Sequence, residues 1–295
     1  MMDYSKFCAI LNKHIFEGEK RELLKKVADS PERFIGLFRP SKPGTKILQH
    51  LLQSHEIRFG DALEELIEEI LKNLGYSILP KSITSANGEQ LSLDQFFTDG
   101  KDYYFIEQKI RDDHDSTKKR GQIANFETKL EELFKTYKNK LIGIMYFVDP
   151  DLVKNKNFYI SELNRLNEYY KVPLYLFYGK ELFEFLKSPE YWERLLDWLT
   201  RWKESLPEIP EINFDTKPRD SFEEIKDLEI RYWRKLLENE KLWEEGIIKA
   251  IFRTGQTLNL ILNYFTNQEL APYQKISTLL KDRLEKYYAE KPASL

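Results

Sequence analysis

The sequence contains a single cysteine, Cys8, and only four histidines. One cysteine cannot form an internal disulfide, and no spacing of histidine and cysteine resembles a set of metal ligands. These absences exclude a small disulfide-framework protein and a cysteine-rich zinc protein. A long apolar segment is also absent, because no run approaches the roughly 20 residues that a membrane-spanning helix needs. Residues 1–13 are mixed and polar, so we expect no signal peptide and predict a soluble intracellular protein.

An excess of positive charge is absent too. Lys and Arg number 46 against 49 Asp and Glu, which gives a formal net charge of −3. A protein that coats nucleic acid is usually basic throughout, so any contact with nucleic acid must come from a local patch. The sequence does have enough apolar material for a core: 41% of its 295 residues are hydrophobic, which excludes a disordered polymer.

The middle of the sequence alternates helix and strand patterns. A helix is predicted from about Gly60 to Asn73, where apolar residues recur at helical spacing, and Gly75 ends it. Runs rich in aromatic and β-branched residues predict strands at 76–83, 91–97, 103–110, 141–148 and 172–178, with helices at 123–137 and 162–170. This order predicts an α/β fold, in which a mixed central sheet is flanked by helices.

The two ends of the sequence carry only helix patterns. We therefore predict a helical N-terminal segment (1–55), an α/β core (56–187) and a helical C-terminal region (188–295). Three prolines between 205 and 219 mark either a linker or a long surface loop. The helical spacing of the aromatic residues in this region favours a core or an interface between copies over a base-stacking platform; they are Tyr191, Trp192, Trp198 and Trp202.

A candidate catalytic site consists of Asp94 on one predicted strand and of Glu107 and Lys109 on the next. Side chains alternate along a strand, so Glu107 and Lys109 project from the same face. Asp99-Gly100 is a hairpin-type turn, and a hairpin here brings Asp94 beside Glu107. Two neighbouring carboxylates repel each other unless a cation lies between them, which suits Mg²⁺. A nearby lysine can orient a water or stabilise charge on a phosphate, so the set suits phosphodiester hydrolysis.

Charged residues that alternate along a hairpin also form solvated faces with cross-strand ion pairs. Three aromatic and two aliphatic residues flank Glu107 and Lys109, which predicts a central strand; they are Tyr103, Tyr104, Phe105, Ile106 and Ile110. Ionised groups on a central strand are costly unless they are used, so the position of the strand favours the catalytic interpretation.

A charged segment, 111–122, follows the candidate strand. It is either a solvated loop or a DNA-binding surface. Its place beside the candidate site and before a helix N-terminus favours DNA contact, because such termini attract phosphate oxygens. The residues predicted to bind DNA are Arg111, His114, Ser116, Thr117, Lys118, Lys119, Arg120 and Gln122.

Asp94 followed by Glu107-Gln108-Lys109, together with the helix and strand order, resembles the PD-(D/E)XK nuclease superfamily. The continuation from Phe105 to Gly121 resembles type II restriction endonucleases in particular. The resemblance covers about residues 56–150 and departs from the pattern at Leu93, which stands where proline is common. It implies that 56–187 is the catalytic core, with Asp94 and Glu107 binding Mg²⁺. It also implies cleavage of double-stranded DNA that leaves 5′-phosphates, a homodimer on a palindromic site, and a cytoplasmic prokaryotic enzyme.

The superfamily pattern further implies a glutamate on the helix that precedes the catalytic strands. Glu64 lies at the margin of the apolar stripe of the predicted helix and Glu68 just beyond it. We favour Glu64 as an additional contact to metal or water, with Glu68 next. The alternative is a solvated acidic helix face.

Two other functions remain open from the sequence. One is a repair or structure-specific nuclease of the same superfamily. The other is a non-catalytic DNA-binding protein of the same fold, against which the intact set of Asp94, Glu107 and Lys109 argues. The C-terminal helices would form an interface or embrace DNA, and no spacing rule encodes which bases are recognised.

Overall fold

The computed structural model describes residues 2–85 and 87–289. The helices are α1 (Tyr4–Ile15), α2 (Glu19–Asp29), α3 (Pro43–Asn73), α4 (Ser116–Tyr137), α5 (Lys156–Tyr170), α6 (Glu181–Phe185), α7 (Glu190–Glu204), α8 (Pro218–Ile225), α9 (Ile230–Glu238), α10 (Glu240–Glu244), α11 (Ile247–Ile251), α12 (Gln256–Thr266) and α13 (Ala271–Ala289). The strands are β1 (Ser77–Ile78), β2 (Ser82–Thr84), β3 (Gln90–Ser92), β4 (Gln95–Thr98), β5 (Tyr103–Lys109), β6 (Leu141–Phe147) and β7 (Leu174–Tyr178). No helix in this part of the chain is both long enough and apolar enough to cross a membrane.

Five strands form one mixed sheet in the order β1-β4-β5-β6-β7, and β2 pairs with β3 in a separate hairpin. The pairs β1–β4 and β4–β5 are antiparallel, whereas β5–β6 and β6–β7 are parallel and are connected through α4 and α5. The predicted mixed sheet with flanking helices is confirmed. The strand that carries the candidate site, β5, lies in the middle of this sheet and is almost entirely buried, as predicted.

The helices α4 and α5 cover one face of the sheet. Phe105 of β5 packs on Phe126 of α4, with ring centroids 4.9 Å apart, and a cluster of buried apolar side chains continues through β6 and α5. Gly143 of β6 lies beside Phe105 in the parallel register. A Cβ atom at this glycine would come within 2.7 Å of the Phe105 ring and of the Leu174 side chain. The close approach of these side chains therefore requires glycine here.

Several element boundaries differ from the prediction. Pro80 interrupts the strand predicted at 76–83, since proline cannot donate a backbone hydrogen bond, and the structure has the short strands β1 and β2 instead. The strand predicted at 91–97 divides into β3 and β4, with Asp94 between them. The helix predicted from Gly60 begins at Pro43, where proline is well placed at the first helical position. The side chain of Asp115 accepts hydrogen bonds from two backbone N–H groups and so begins α4 at Ser116 rather than at 123.

The chain divides into two compact units that do not follow the order of the sequence. One comprises residues 1–14 and 58–206 and contains the sheet, and the other comprises 15–57 and 207–295. In the second unit, helices from both of its segments share one apolar core, which extends from Leu23 to Leu284. The N-terminus of α12 is stabilised there by Asp215. The buried carboxylate of Asp215 accepts hydrogen bonds from three backbone N–H groups, those of Thr254, Gly255 and Thr257. The division predicted at 55/56 and 187/188 stays a prediction about independently folding domains.

Candidate active site

Asp94 lies between β3 and β4, directly before the residues of β4 that pair with β5. Gln95 is opposite Ile106 in the antiparallel register, so Asp94 comes opposite Glu107. The Oδ2 atom of Asp94 accepts hydrogen bonds from the backbone N–H of Gln108 at 2.7 Å and from Lys109 Nζ at 3.2 Å. The predicted adjacency of Asp94 to the Glu107–Lys109 strand is confirmed.

Three oxygen atoms converge on the ammonium group of Lys109. It donates to Glu107 Oε1 at 2.7 Å, to Asp94 Oδ2 at 3.2 Å and to the backbone carbonyl of Gln108 at 2.7 Å. The strand alternation that was predicted therefore places the acid and the lysine together on one face. The arrangement is a cation surrounded by two carboxylates and a carbonyl.

The helix α4 contributes two side chains that the sequence did not identify. Lys129 Nζ donates to Glu107 Oε2 at 2.5 Å, and Asn125 Nδ2 donates to Glu107 Oε1 at 3.3 Å. Glu107 is only 2% exposed and Lys129 only 4%. The one signal in the sequence is that Lys129 falls at helical spacing among apolar residues of α4, where lysine is unusual unless it is paired; they are Phe126, Leu130 and Leu133.

The charges of this cluster affect one another strongly. Burial, and then the charge of Glu107, raise the pKa of Asp94, although Lys109, the Gln108 N–H and Lys129 oppose the rise. Burial alone would lower the pKa of Lys109, but the charges of Glu107 and Asp94 and the hydrogen bonds to them outweigh it, so the pKa is raised. Lys109 therefore remains a charged donor, and two ammonium groups compensate the two carboxylates.

Of the two candidate glutamates on α3, Glu64 is the one that interacts with the site. Burial and the charge of Asp94 raise the pKa of Glu64 to about 7, against the opposing charges of Lys81 and Lys109. Among the described residues, none donates a hydrogen bond to its carboxylate. Glu68 is instead engaged in ion pairs with Lys72 and Lys81, both at 2.8 Å, and their hydrogen bonds outweigh burial to lower its pKa. The ion pairs of Glu68 and the interaction of Glu64 with the charge of Asp94 favour Glu64 over Glu68 as the additional acid.

Most of the residues predicted to bind DNA lie around the N-terminus of α4. The side chains of Ser116, Thr117, Lys118 and Arg120 are exposed, and those of Arg111, His114 and Lys119 are half-buried. Lys119 Nζ lies 4.6 Å from the centroid of the Phe158 ring. Gln122 differs from the expectation: it is buried and accepts a hydrogen bond from the Tyr159 hydroxyl at 2.5 Å. Because α4 begins at Ser116, Gln122 lies on the buried face of a helix rather than in a surface loop.

A buried carboxylate fixes the connection between β5 and α4. Asp112 accepts hydrogen bonds from the backbone N–H and the side-chain amide of Asn155, both at 2.8 Å, and from the Tyr178 hydroxyl at 2.9 Å. No role for Asp112 was predicted from the sequence. Its contacts hold the segment between Lys109 and α4 against β7 and the start of α5.

The donor atoms of the site fit a hard divalent cation. Between residues 2 and 289, leaving out residue 86, no cluster of three or more Asp, Glu, His or Cys side chains is arranged to hold a metal ion. Mg²⁺ does not need such a cage, because it usually binds one or two carboxylates, several waters and substrate phosphates. Asp94 and Glu107 supply that number of carboxylates, and the Lys109 ammonium already occupies a position where three oxygens surround positive charge.

The mixed sheet and its flanking helices are those of a restriction-endonuclease-like fold, with Glu107 and Lys109 on its middle strand and Asp94 directly before the adjacent antiparallel strand β4. The profile of the family described as type II restriction endonuclease, HinfI, matches residues 3–88 and 79–203. The chain therefore belongs to the HinfI family of type II restriction endonucleases, and it is an endonuclease whose substrate is DNA. No curated protein matches the chain.

Proposed function

We propose that this endonuclease hydrolyses double-stranded DNA with Mg²⁺, by PD-(D/E)XK chemistry that leaves 5′-phosphates. The observation that carries the proposal is the convergence of Asp94, Glu107 and Lys109 across the β4–β5 hairpin. The family supports restriction over a repair or structure-specific activity. The charge of Lys109 supports catalysis over a non-catalytic role, since an ammonium that is only partly exposed and is held between two acids is costly as a passive feature.

Asp94 and Glu107 would hold the cation, and Glu64 would contact it or an associated water. Mg²⁺ supplies Lewis-acid stabilisation of charge on the phosphate and makes water more acidic. The ammonium of Lys109 orients the attacking water or stabilises negative charge on the scissile phosphate. The water oxygen attacks phosphorus and the P–O3′ bond breaks, so the 3′ oxygen leaves and takes up a proton. The products are a 5′-phosphate and a 3′-hydroxyl.

The N-terminus of α4 and the segment before it are proposed to bind the DNA backbone. Basic side chains and hydroxyls at a helix N-terminus suit phosphate oxygens; the exposed ones are Ser116, Thr117, Lys118 and Arg120, and the half-buried ones are Arg111, His114 and Lys119. Gln122 is left out, since its side chain is buried against Tyr159. The enzyme is proposed to work in the cytoplasm, where its substrate would be foreign DNA.

Digestion of plasmid DNA tests the proposal. We expect discrete fragments with Mg²⁺ and none in EDTA. Asp94→Asn, Glu107→Gln and Lys109→Met should each cut at least about 100-fold more slowly, because the first two weaken binding of the cation and the third removes positive charge that acts on the reacting phosphate. Lys101→Met is the matched control: this lysine lies in the turn of the same hairpin with its side chain 86% exposed, and the variant should cut at the normal rate.

Fragments that persist in EDTA, or with Lys109→Met, would contradict the assignment. A smear in place of discrete fragments would favour a structure-specific nuclease. Sequencing the fragment ends identifies the recognition site and shows whether the 5′ ends carry phosphate.

A further inference from the structure

Residues 33–55 form an acid-free segment in an acidic protein. The chain as a whole has more Asp and Glu than Lys and Arg, yet none of its acidic residues lies between Glu32 and Glu56. The segment carries four cations: Arg33, Arg39, Lys42 and Lys46. Within 2–85 and 87–289, none of the four has an ion pair with a carboxylate. Their charge is therefore free to attract an anionic partner.

A loop at the start of this segment, residues 35–39, presents two apolar side chains to solvent. Leu37 is 91% exposed and Phe38 is fully exposed. Isolated exposed apolar residues are ordinary, but two adjacent ones with this degree of exposure, among unpaired cations, are not. We call residues 35–39 the apolar loop.

The base of the apolar loop is held in place. Before it, Phe34 is buried and packs edge-on against His50, with ring centroids 5.4 Å apart. The Gly36 N–H donates to Glu245 Oε2 at 2.7 Å, and the Arg39 guanidinium donates to the carbonyls of Glu32 and Ile35. The loop is thus fixed on both sides of Leu37 and Phe38, so these two residues are held in place with their side chains exposed.

The surroundings of His50 are also positively charged. Burial lowers the pKa of His50, and the charges of Lys26, Arg33 and Lys46 lower it further. These cations come from α2, from the stretch before the apolar loop and from α3, so the base of the loop has cations from several elements beside the Glu245 carboxylate that binds Gly36.

We propose that the apolar loop and its flanking cations form a second DNA-contact surface, in which Lys42 and Lys46 bind phosphates and Leu37 and Phe38 contact bases in the minor groove. This proposal rests on duplex DNA being the substrate. Proteins that bind the minor groove commonly combine basic residues with apolar side chains that wedge between bases. A second copy of the chain suits this surface less, because like charges would face each other across a symmetric contact.

Fluorescence anisotropy tests the surface with a labelled duplex that carries the cleavage site mapped by digestion, with Ca²⁺ in place of Mg²⁺. We expect Phe38→Ala to weaken binding roughly tenfold or more, which corresponds to the loss of one base contact. Lys42→Gln should reduce the slope of log K against log salt by about 1. Leu270→Ala is the matched control, since Leu270 is also exposed, at 65%, and lies beside an acid rather than among cations. It should bind as the unaltered protein does.

An affinity of Phe38→Ala within twofold of the unaltered protein would overturn the proposal. So would a change of Phe38→Ala to a monomer in sedimentation, because the loop would then be an interface between copies. Thermal melting should be unchanged, since both side chains are exposed. If the unaltered protein neither binds nor cuts the duplex, the proposed function fails; if it does both and Phe38→Ala binds equally well, only the loop assignment fails.

Discussion

Among the single residues, Glu64 is a candidate site residue whose charged carboxylate lowers the stability of the folded protein. Its carboxylate is half-buried near Asp94, and burial together with that charge raises its pKa to about 7 from the ordinary 4.5. The folded protein therefore takes up a proton at a higher pH than the unfolded chain does. The resulting penalty is complete above about pH 7, shrinks as the pH falls, and is absent below about pH 4.5. A carboxylate kept under such a penalty is a reasonable ligand for an incoming cation.

We expect Glu64→Gln to stabilise the metal-free protein at about pH 8, by on the order of 1–2 kcal/mol after allowance for solvent screening. The advantage should disappear near pH 4.5. Urea unfolding in EDTA at the two pH values measures it. Glu68→Gln is the matched control on the same helix and should not be stabilised, since it loses ion pairs to Lys72 and Lys81. A Glu64→Gln protein that is no more stable at about pH 8 would show that burial and the charge of Asp94 do not raise the pKa of Glu64.

At the scale of elements, the site depends on the contact between β5 and α4. Lys129 of α4 neutralises Glu107 from the side opposite Lys109, and both partners are buried. Removing one partner of a buried ion pair leaves an uncompensated charge, which typically costs more than the pair itself contributed.

Lys129→Met should therefore lower the free energy of unfolding by about 3 kcal/mol. It should also slow cleavage, because Glu107 loses one of the contacts that orient it. Lys129→Arg should recover part of both. Urea unfolding and plasmid digestion measure the two effects. Lys135→Met serves as the control, since this lysine lies on the same helix with exposed ion pairs to Glu131 and Glu132. The same behaviour in Lys129→Met and Lys135→Met would rule out the role given to Lys129.

The elements also show which parts of the site a sequence can predict. The alternation of side chains along β5 depends only on neighbours in the sequence, and so does the Asp99-Gly100 turn, where Gly100 has a φ of 90°. Both were correctly predicted. The pairing of Lys129 with Glu107 and the burial of Gln122 depend on which face of α4 meets the sheet. No local pattern contains that information, since a polar residue on an apolar stripe has no visible partner until the fold is known. Likewise, the division of the strands around Asp94 arises from the pairing partners of β3 and β4.

For the whole molecule, the number of sites is the main question. One chain carries one set of Asp94, Glu107 and Lys109, whereas a cut through a duplex breaks two phosphodiester bonds. A homodimer with twofold symmetry, on a palindromic site, would supply one set for each strand.

The grouping of residues 1–14 with 58–206, and of 15–57 with 207–295, was beyond prediction because it joins segments that are distant in sequence.

Light scattering after size exclusion should give a mass about twice the 35.4 kDa of one chain. A dimer should also convert supercoiled plasmid to the linear form with little nicked intermediate. A protein of single-chain mass that makes linear product equally directly would contradict the dimer.

The mixed pairing of β5 affects the order in which the site assembles. The β4–β5 hairpin closes over residues 99–102, a step that takes roughly 1–10 μs in isolated hairpins. Parallel pairing of β5 with β6 must wait for the chain between residues 110 and 140, including α4, to close on itself. We therefore expect Asp94 and Glu107 to meet before Lys129 reaches them. During that interval their counterion is Lys109, which arrives on the same strand, so the hairpin carries its own neutralising charge as the chain folds.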